Sequence, residues 1–263
     1  MIPVTTTAVE RPFVTREVLG FPVADLDQPA LARAVLQAAV RGRGGQIFAL
    51  NVHTFTEASR FPSYGKILRS SFLVYADGVP ISWASRLEGG PAIARTHGHD
   101  FMMETLRQSS GTGIRHYFMG GSEKTLEAML ARFRVDLPGL AIAGTYSPPF
   151  RRLSPEEEQE TAARINASGA SLLWVALGAP RQEQWIHRMK PLLQVPVAAG
   201  VGAAFEIIAG RFTRAPRLLQ RVGLEWAWRL AQDPARLWRR YFSTNGYFVA
   251  YLLREAGRRV AGF

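Results

Sequence analysis

Ser71-Phe72-Leu73-Val74-Tyr75-Ala76-Asp77-Gly78-Val79-Pro80 is the stretch on which the reading of this chain turns. Residues 72–76 are a short apolar, β-favouring run, too short for a typical helix and suited to a strand buried on both faces. Asp77-Gly78 ends the run. Pro80 opens the next helix, where its missing N–H costs nothing. A carboxylate therefore stands where a strand hands over to a helix, the edge at which open α/β sheets bind ligands. Two roles fit an Asp there: a cap for the helix that follows, or a catalytic base.

The same alternation runs outward in both directions. Towards the N-terminus, a helix is predicted over 28–40 with Asp27 as its N-cap, then a strand over 46–50 that runs into Asn51. Phe61-Pro62 splits the helical stretch between residue 54 and the strand at 72. Beyond residue 80, strands are predicted over 115–119, 141–146, 171–177 and 195–199, with helices between them. Ser154-Pro155-Glu156-Glu157 is a capping box with Pro at the first helical position. The fold class that follows is α/β, a mostly parallel, Rossmann-like sheet with helices on both faces. The pattern changes after residue 210. Two helices, over 216–232 and 234–260, are predicted there with no strand. The chain thus divides into an α/β domain (1–210) and a helical appendage (211–263).

Composition bounds the chemistry. The 263 residues contain no cysteine, which excludes disulfides, thiolate catalysis and cysteine-ligated metals. Residues 1–14 lack an apolar core flanked by positive charge, and no run of 18 apolar residues exists, so neither a signal peptide nor a membrane span is expected. These features predict a cytoplasmic protein. The net charge of +11 is uneven: residues 211–263 hold eleven Arg, no Lys and three acids (Glu225, Asp233 and Glu255). Such an asymmetry predicts an anionic partner for the appendage: nucleic acid, an anionic membrane surface or a phosphorylated substrate.

Four loops should share the carboxyl edge of the sheet: Asn51 to Thr54, Asp77-Gly78, Gly120-Gly121-Ser122 and Gly178 to Gln182. Asn51 offers donors and an acceptor suited to sugar hydroxyls, or simply ends a strand. Gly120 and Gly121 can present backbone N–H groups to an anion, or serve a plain turn. Arg95 and Gln182 are loop polar residues of no special meaning alone. His97-Gly98-His99-Asp100 looks like part of a metal site, but no further ligands declare themselves. Asp25-Leu26-Asp27 is better explained by capping than by metal binding. No dinucleotide fingerprint, Walker-type loop or nucleophile elbow is present.

Tyr75-Ala76-Asp77-Gly78-Val79-Pro80, Arg95 with Gly98 and Asp100, Phe118-Met119-Gly120-Gly121, Ser147-Pro148-Pro149-Phe150 and Gly178-Ala179-Pro180-Arg181-Gln182-Glu183 occur in this order. Gly200-Val201-Gly202-Ala203-Ala204-Phe205, Arg214-Ala215-Pro216, Gly223-Leu224-Glu225-Trp226 and Arg236-Leu237-Trp238-Arg239-Arg240-Tyr241 follow. With this ordered set the chain resembles the WecG/TagA/CpsF family, glycosyltransferase family 26. The resemblance implies an inverting transferase that moves a hexose-type sugar from a UDP-sugar to a polyprenyl-diphosphate-linked sugar, without a metal or other cofactor. N-acetylmannosamine, its uronic acid and glucose are the donors it suggests, in cell-envelope or exopolysaccharide synthesis.

By the same resemblance Asp77 is the general base, Asn51 and Arg95 line the pocket, and Gln182 contacts substrate. Arg229, Arg236 and Arg239 hold the diphosphate of departing UDP. The appendage closes the site and attaches the protein peripherally to the inner face of the membrane. Ala49 stands where many members have Thr or Ser, and Glu206 where many have Asp, which leaves the donor sugar open. A homo-oligomer is also open on this sequence. A basic nucleic-acid-binding protein is the competing class. The Trp, Phe and Leu laced through the basic segment favour a lipid interface over nucleic acid. A nucleotide-sugar-modifying enzyme would need the dinucleotide fingerprint that is missing.

Overall fold

The computed structural model describes residues 11–260. Most of the N-terminal stretch read for a signal peptide lies outside the described residues. The first element is a feature absent from the reading above. β1 (Thr15–Val18) and β2 (Phe21–Ala24) pair as an antiparallel hairpin. Leu19 and Gly20 make its two-residue turn, both with positive φ (57° and 75°). That geometry suits the twist of a hairpin, but its usual signal is Asn-Gly. Here a β-turn position falls to Leu, whose backbone N–H donates to both carboxylate oxygens of Glu88 at 3.1 Å.

Six parallel strands form the main sheet: β3 (Gln46–Leu50), β4 (Leu73–Ala76), β5 (Arg115–Gly120), β6 (Ala141–Tyr146), β7 (Leu172–Ala176) and β8 (Val197–Gly200). Their order across the sheet is β4-β3-β8-β7-β5-β6. The period of two sends alternate residues to opposite faces. In β3, Ile47 and Ala49 join one core with α1 (Gln28–Val40), α5 (Gly98–Ser109), α6 (Glu123–Asp136) and α9 (Ala204–Ile208). Phe48 and Leu50 join the other, with α2 (Val52–Arg60), α3 (Pro62–Arg69), α4 (Val79–Leu87), α7 (Pro155–Ala167) and α8 (Arg181–Met189). The near-continuous apolar strands are explained by this double covering.

Local signals set most boundaries. Asp27 caps α1, its Oδ1 accepting from Ala30 N at 2.8 Å. The box at Ser154 and Glu157 is formed, with Glu157 Oε2 accepting from Ser154 N at 2.8 Å. One expectation fails beyond residue 210. The predicted helix over 216–232 is two helices, α10 (Arg217–Arg221) and α11 (Glu225–Gln232). Gly223 breaks it, with φ +75° and a position where a Cβ would sit 3.1 Å from Val79 Cβ. The break docks this segment against the start of α4 and turns Glu225 towards the sheet edge.

α12 (Pro234–Val260) is the last element among the described residues. Its Leu237 and Phe248 are buried, and Phe55 of α2 meets Phe248 and Tyr251 edge-on at 5.6 and 4.9 Å. Losing a buried aromatic of this kind costs about 3–5 kcal/mol. The helix is thus part of one core as well as an appendage.

Candidate active site

The carboxyl edge carries a cavity of about 1270 Å³. Its floor comes from the strand-end loops and its roof from α11 and α12. Asn51, Asp77, Gly121 and Gln182, predicted from four separate loops, all line it. Asp77 is placed by backbone first. Its N–H continues the β3–β4 ladder to Leu50 O at 2.8 Å. Gly78 follows with φ +91°, a conformation that releases the chain into α4 and that L side chains rarely adopt. Asp77 does not cap α4, for which no side-chain cap is formed.

The Asp77 side chain has two donors instead. Asn51 Nδ2 donates to Oδ2 at 3.1 Å, and His97 Nδ1 donates to Oδ1 at 2.9 Å. Asn51 also caps α2, with Oδ1 accepting from Thr54 N at 3.0 Å and Thr54 Oγ1 accepting from Asn51 N. One amide therefore ends β3, starts α2 and fixes the carboxylate. His97 arrives because the preceding backbone docks on the free edge of β4: Arg95 bridges Ala76, and Thr96 N donates to Ala76 O at 2.9 Å.

The far side of His97 faces the appendage. Its Nε2 lies 2.8 Å from Glu225 Oε2 at the start of α11. All three side chains are largely covered, at 18% exposure for His97, 20% for Glu225 and 23% for Asp77. Burial would discharge the imidazole, but its hydrogen bonds to Asp77 and Glu225 outweigh that and raise its pKa from 6.5 to about 10. It is an imidazolium at neutral pH. Burial likewise pushes Asp77 up. The bond and charge of His97, the bond from Asn51 and the charge of Arg229 together bring it below the usual carboxylate range. Asp77 is thus ionised and ready to accept a proton. Arg95 Nη1 stands 3.3 Å from His97 Nε2. With that nitrogen protonated and directed at Glu225, Arg95 adds positive charge there rather than a hydrogen bond.

Gln182 is buried, and both the oxygen and the nitrogen of its amide are engaged. Oε1 accepts from Gly178 N at 3.2 Å and Gly202 N at 3.0 Å, and Nε2 donates to Glu183 Oε1 at 2.7 Å. Gly200 gives it room, since a Cβ there would lie 2.9 Å from Nε2. The residue ties the loops after β7 and β8 together. Glu183 beneath it is fully buried, and burial raises its pKa from 4.5 to about 7 despite the bond from Gln182.

The remaining expected residues fall in different places. Gly120 ends β5 so close to β7 that a Cβ would lie 2.5 Å from Ala176 O, and Gly121 takes the cavity wall. Arg229 lines the cavity. Arg239 is exposed and stacks over Trp238 at 5.2 Å, away from the cavity wall. The Arg236 side chain lies outside the described residues. Asp25 pairs with Arg16 at 2.9 Å rather than joining Asp27. Among the described residues no group of three or more His, Cys, Asp or Glu could hold a metal ion.

Sequence reasoning missed His97, Glu225 and Glu183. In the sequence His97 stands beside His99 as half of a poor metal motif, and Glu225 stands among three acids of a basic segment and within Gly223-Leu224-Glu225-Trp226, with no role attached to either. The signal available for Glu183 and Glu225 is their place within two of the ordered motifs; His97 lies between Arg95 and Gly98 and carries no such signal.

A doubly wound α/β sheet, an ionised Asp at its carboxyl edge and a basic helical roof make a site suited to an anionic ligand. The chain belongs to the glycosyl transferase WecG/TagA/CpsF family, whose model matches residues 16–261. A Bacillus spizizenii protein is 34% identical over 215 residues, 82% of this chain and 81% of its own. Its name is N-acetylglucosaminyldiphosphoundecaprenol N-acetyl-beta-D-mannosaminyltransferase. A Bacillus subtilis protein of the same name is 28% identical over 216 residues, 82% of each chain.

Proposed function

We propose that this glycosyltransferase is inverting and moves a hexose-type sugar from a UDP-sugar to a sugar carried on a polyprenyl diphosphate. N-acetylmannosamine is the first donor to test and N-acetylglucosaminyl-diphospholipid the first acceptor, following the names of the relatives. The observation that carries the reading is Asp77, held ionised between Asn51 and His97 on the wall of a cavity of about 1270 Å³.

In this reading an acceptor hydroxyl attacks the anomeric carbon while its proton passes to Asp77. The new C–O bond forms as the bond from the anomeric carbon to the diphosphate oxygen breaks, and UDP leaves with the electron pair. Arg229 offers fixed positive charge to that leaving group, the part a metal plays in other transferases. The imidazolium of His97 holds Asp77 in place, and Glu225 holds His97.

The surface of α12 supports attachment to a membrane. Among the described residues no helix is long and apolar enough to cross one. Trp238, Phe242 and Leu253, however, are 52%, 84% and 69% exposed along one side of this helix. An apolar stripe beside arginines suits the interfacial layer of an anionic bilayer. The test is incubation with a panel of UDP-sugars and a short-chain lipid-diphosphate sugar, in excess EDTA, with the product identified by mass. A product of one added hexose unit is expected, and no transfer from any UDP-sugar sinks the reading.

A further inference from the structure

We propose that Arg240, on the cavity-facing side of α12, is a diphosphate-binding residue of this site and works together with Arg229 of α11. The inference rests on the proposed function, which supplies a diphosphate-bearing substrate, and adds a residue that the family resemblance does not point to.

Helix geometry selects it. Leu237, Arg240, Tyr241, Thr244, Phe248 and Leu252 all line the cavity, at the three- and four-residue steps of one helix face. At about 100° per residue, Arg239 falls on the opposite side, where it is exposed and lies over Trp238. Arg240 is half-buried on the cavity side, with its guanidinium over the Tyr241 ring at 5.1 Å.

Its electrostatic state is the second observation. Arg240 Nε is buried and has no hydrogen-bond partner. Neither Arg240 nor Arg229 forms an ion pair with a described carboxylate, whereas Arg211 is paired with Glu206 and Arg214 with Asp100. The neighbour of Arg240 offers no compensating charge. His53 stands with its Nε2 3.2 Å from Ala179 O, and burial, with the charge of Arg240, lowers its pKa to about 4, so it is neutral. A half-buried guanidinium on the cavity wall with its Nε buried and unpartnered is costly unless an anion completes it. A diphosphate does so with charge-assisted bonds to the fork of N–H donors.

That diphosphate comes either from the UDP donor or from the lipid-linked acceptor, and two measurements separate them. Calorimetric titration of UDP into wild type, Arg240→Ala, Arg240→Lys, Arg239→Ala and Arg254→Ala gives the donor arm. The KM for a short-chain lipid-diphosphate sugar gives the acceptor arm. Loss of about tenfold or more in UDP affinity for both Arg240 variants is expected, since Lys lacks the planar fork. Arg254→Ala controls for loss of surface charge, and Arg239→Ala is expected to weaken UDP less than Arg240→Ala. An unchanged UDP affinity with KM raised about tenfold assigns Arg240 to the acceptor's diphosphate and equally supports the inference. Folded Arg240→Lys that keeps both values within about twofold overturns it, as does a larger loss in Arg239→Ala. Wild type that binds no UDP and transfers from no UDP-sugar is a different result: the proposed function itself then fails, and the inference with it.

Discussion

Glu225 Oε2 stands 2.8 Å from His97 Nε2, and His97 Nδ1 stands 2.9 Å from Asp77 Oδ1. The first carboxylate belongs to α11 and the second to the end of β4, so one imidazolium joins the basic roof to the sheet edge. Position of the roof is therefore felt at the proposed base. Glu225→Gln keeps an acceptor but removes the charge that helps hold the proton on His97. The His97 pKa, about 10 with Glu225 in place, is expected to fall, and turnover to fall by about tenfold with UDP affinity little changed. Imidazole titration by NMR and steady-state kinetics check the two parts. An unmoved His97 pKa would show the contact to be incidental.

Asp77→Asn is expected to keep the fold, because an amide oxygen can still accept from Asn51 or His97. Turnover should drop by about 100-fold or more, the usual weight of a general base, while UDP binding persists. Near-normal turnover in that variant would remove Asp77 from the chemistry.

The Asp77–His97 pair also predicts a pH window. His97 has its pKa raised above the ordinary 6.5, so its contribution to stability is complete below about 6.5 and is lost as pH rises through about 10. Asp77 has its pKa depressed below 3.8, so its contribution is present above that value and is lost as pH falls through the folded value. Denaturant unfolding of wild type and His97→Gln across pH should therefore show a difference that is greatest on the acid side of neutrality and shrinks towards pH 10. A difference that grows with alkalinity contradicts the charged-pair assignment.

Gln182 tests the distinction between touching substrate and holding the site. Its amide joins Gly178 N, Gly202 N and Glu183 Oε1. Gln182→Ala leaves those groups unpaired in a covered place, at about 1–3 kcal/mol for each group that water does not reach. A lowered Tm is expected even without substrate. A substrate contact alone would leave Tm unmoved and raise only KM.

Much of the sheet was legible because strands such as β3, β4 and β8 are buried on both faces and end at Asn, Asp or Gly. A short apolar run and the residue types after it agree at β3 and β4. The hairpin β1–β2 was not legible, because its turn uses Leu19 where hairpin statistics favour Asn, and a distant carboxylate from Glu88 stabilises it. The break at Gly223 was hidden for a related reason: it answers to Val79 on another element. The same limit applied at the site. Asp77 and Asn51 announce themselves by position at strand ends. The importance of His97 depends on Glu225, 128 positions later, and no local pattern couples them. The choice between Arg239 and Arg240 turns on helical phase, which Leu237 and Phe248 set by packing into the core.

The exposed stripe of α12 carries the last prediction. Leu237 and Phe248 face inward on this helix, so removing the segment would also strip the cover from Phe55 and confuse a binding defect with unfolding. Substitution on the outer side avoids that. Trp238, Phe242 and Leu253 are exposed and take no part in the described core clusters. Replacing all three by Ser should leave Tm within a few degrees and leave turnover on a water-soluble acceptor intact. Binding to vesicles containing anionic lipid should fall by about tenfold or more, because each buried apolar side chain contributes roughly 1.5–3 kcal/mol when fully covered and the basic residues add on the order of 1 kcal/mol each. The residual binding should be salt-sensitive, since charge alone then supports it. Vesicle affinity equal to that of wild type would place the membrane contact on another surface of the protein.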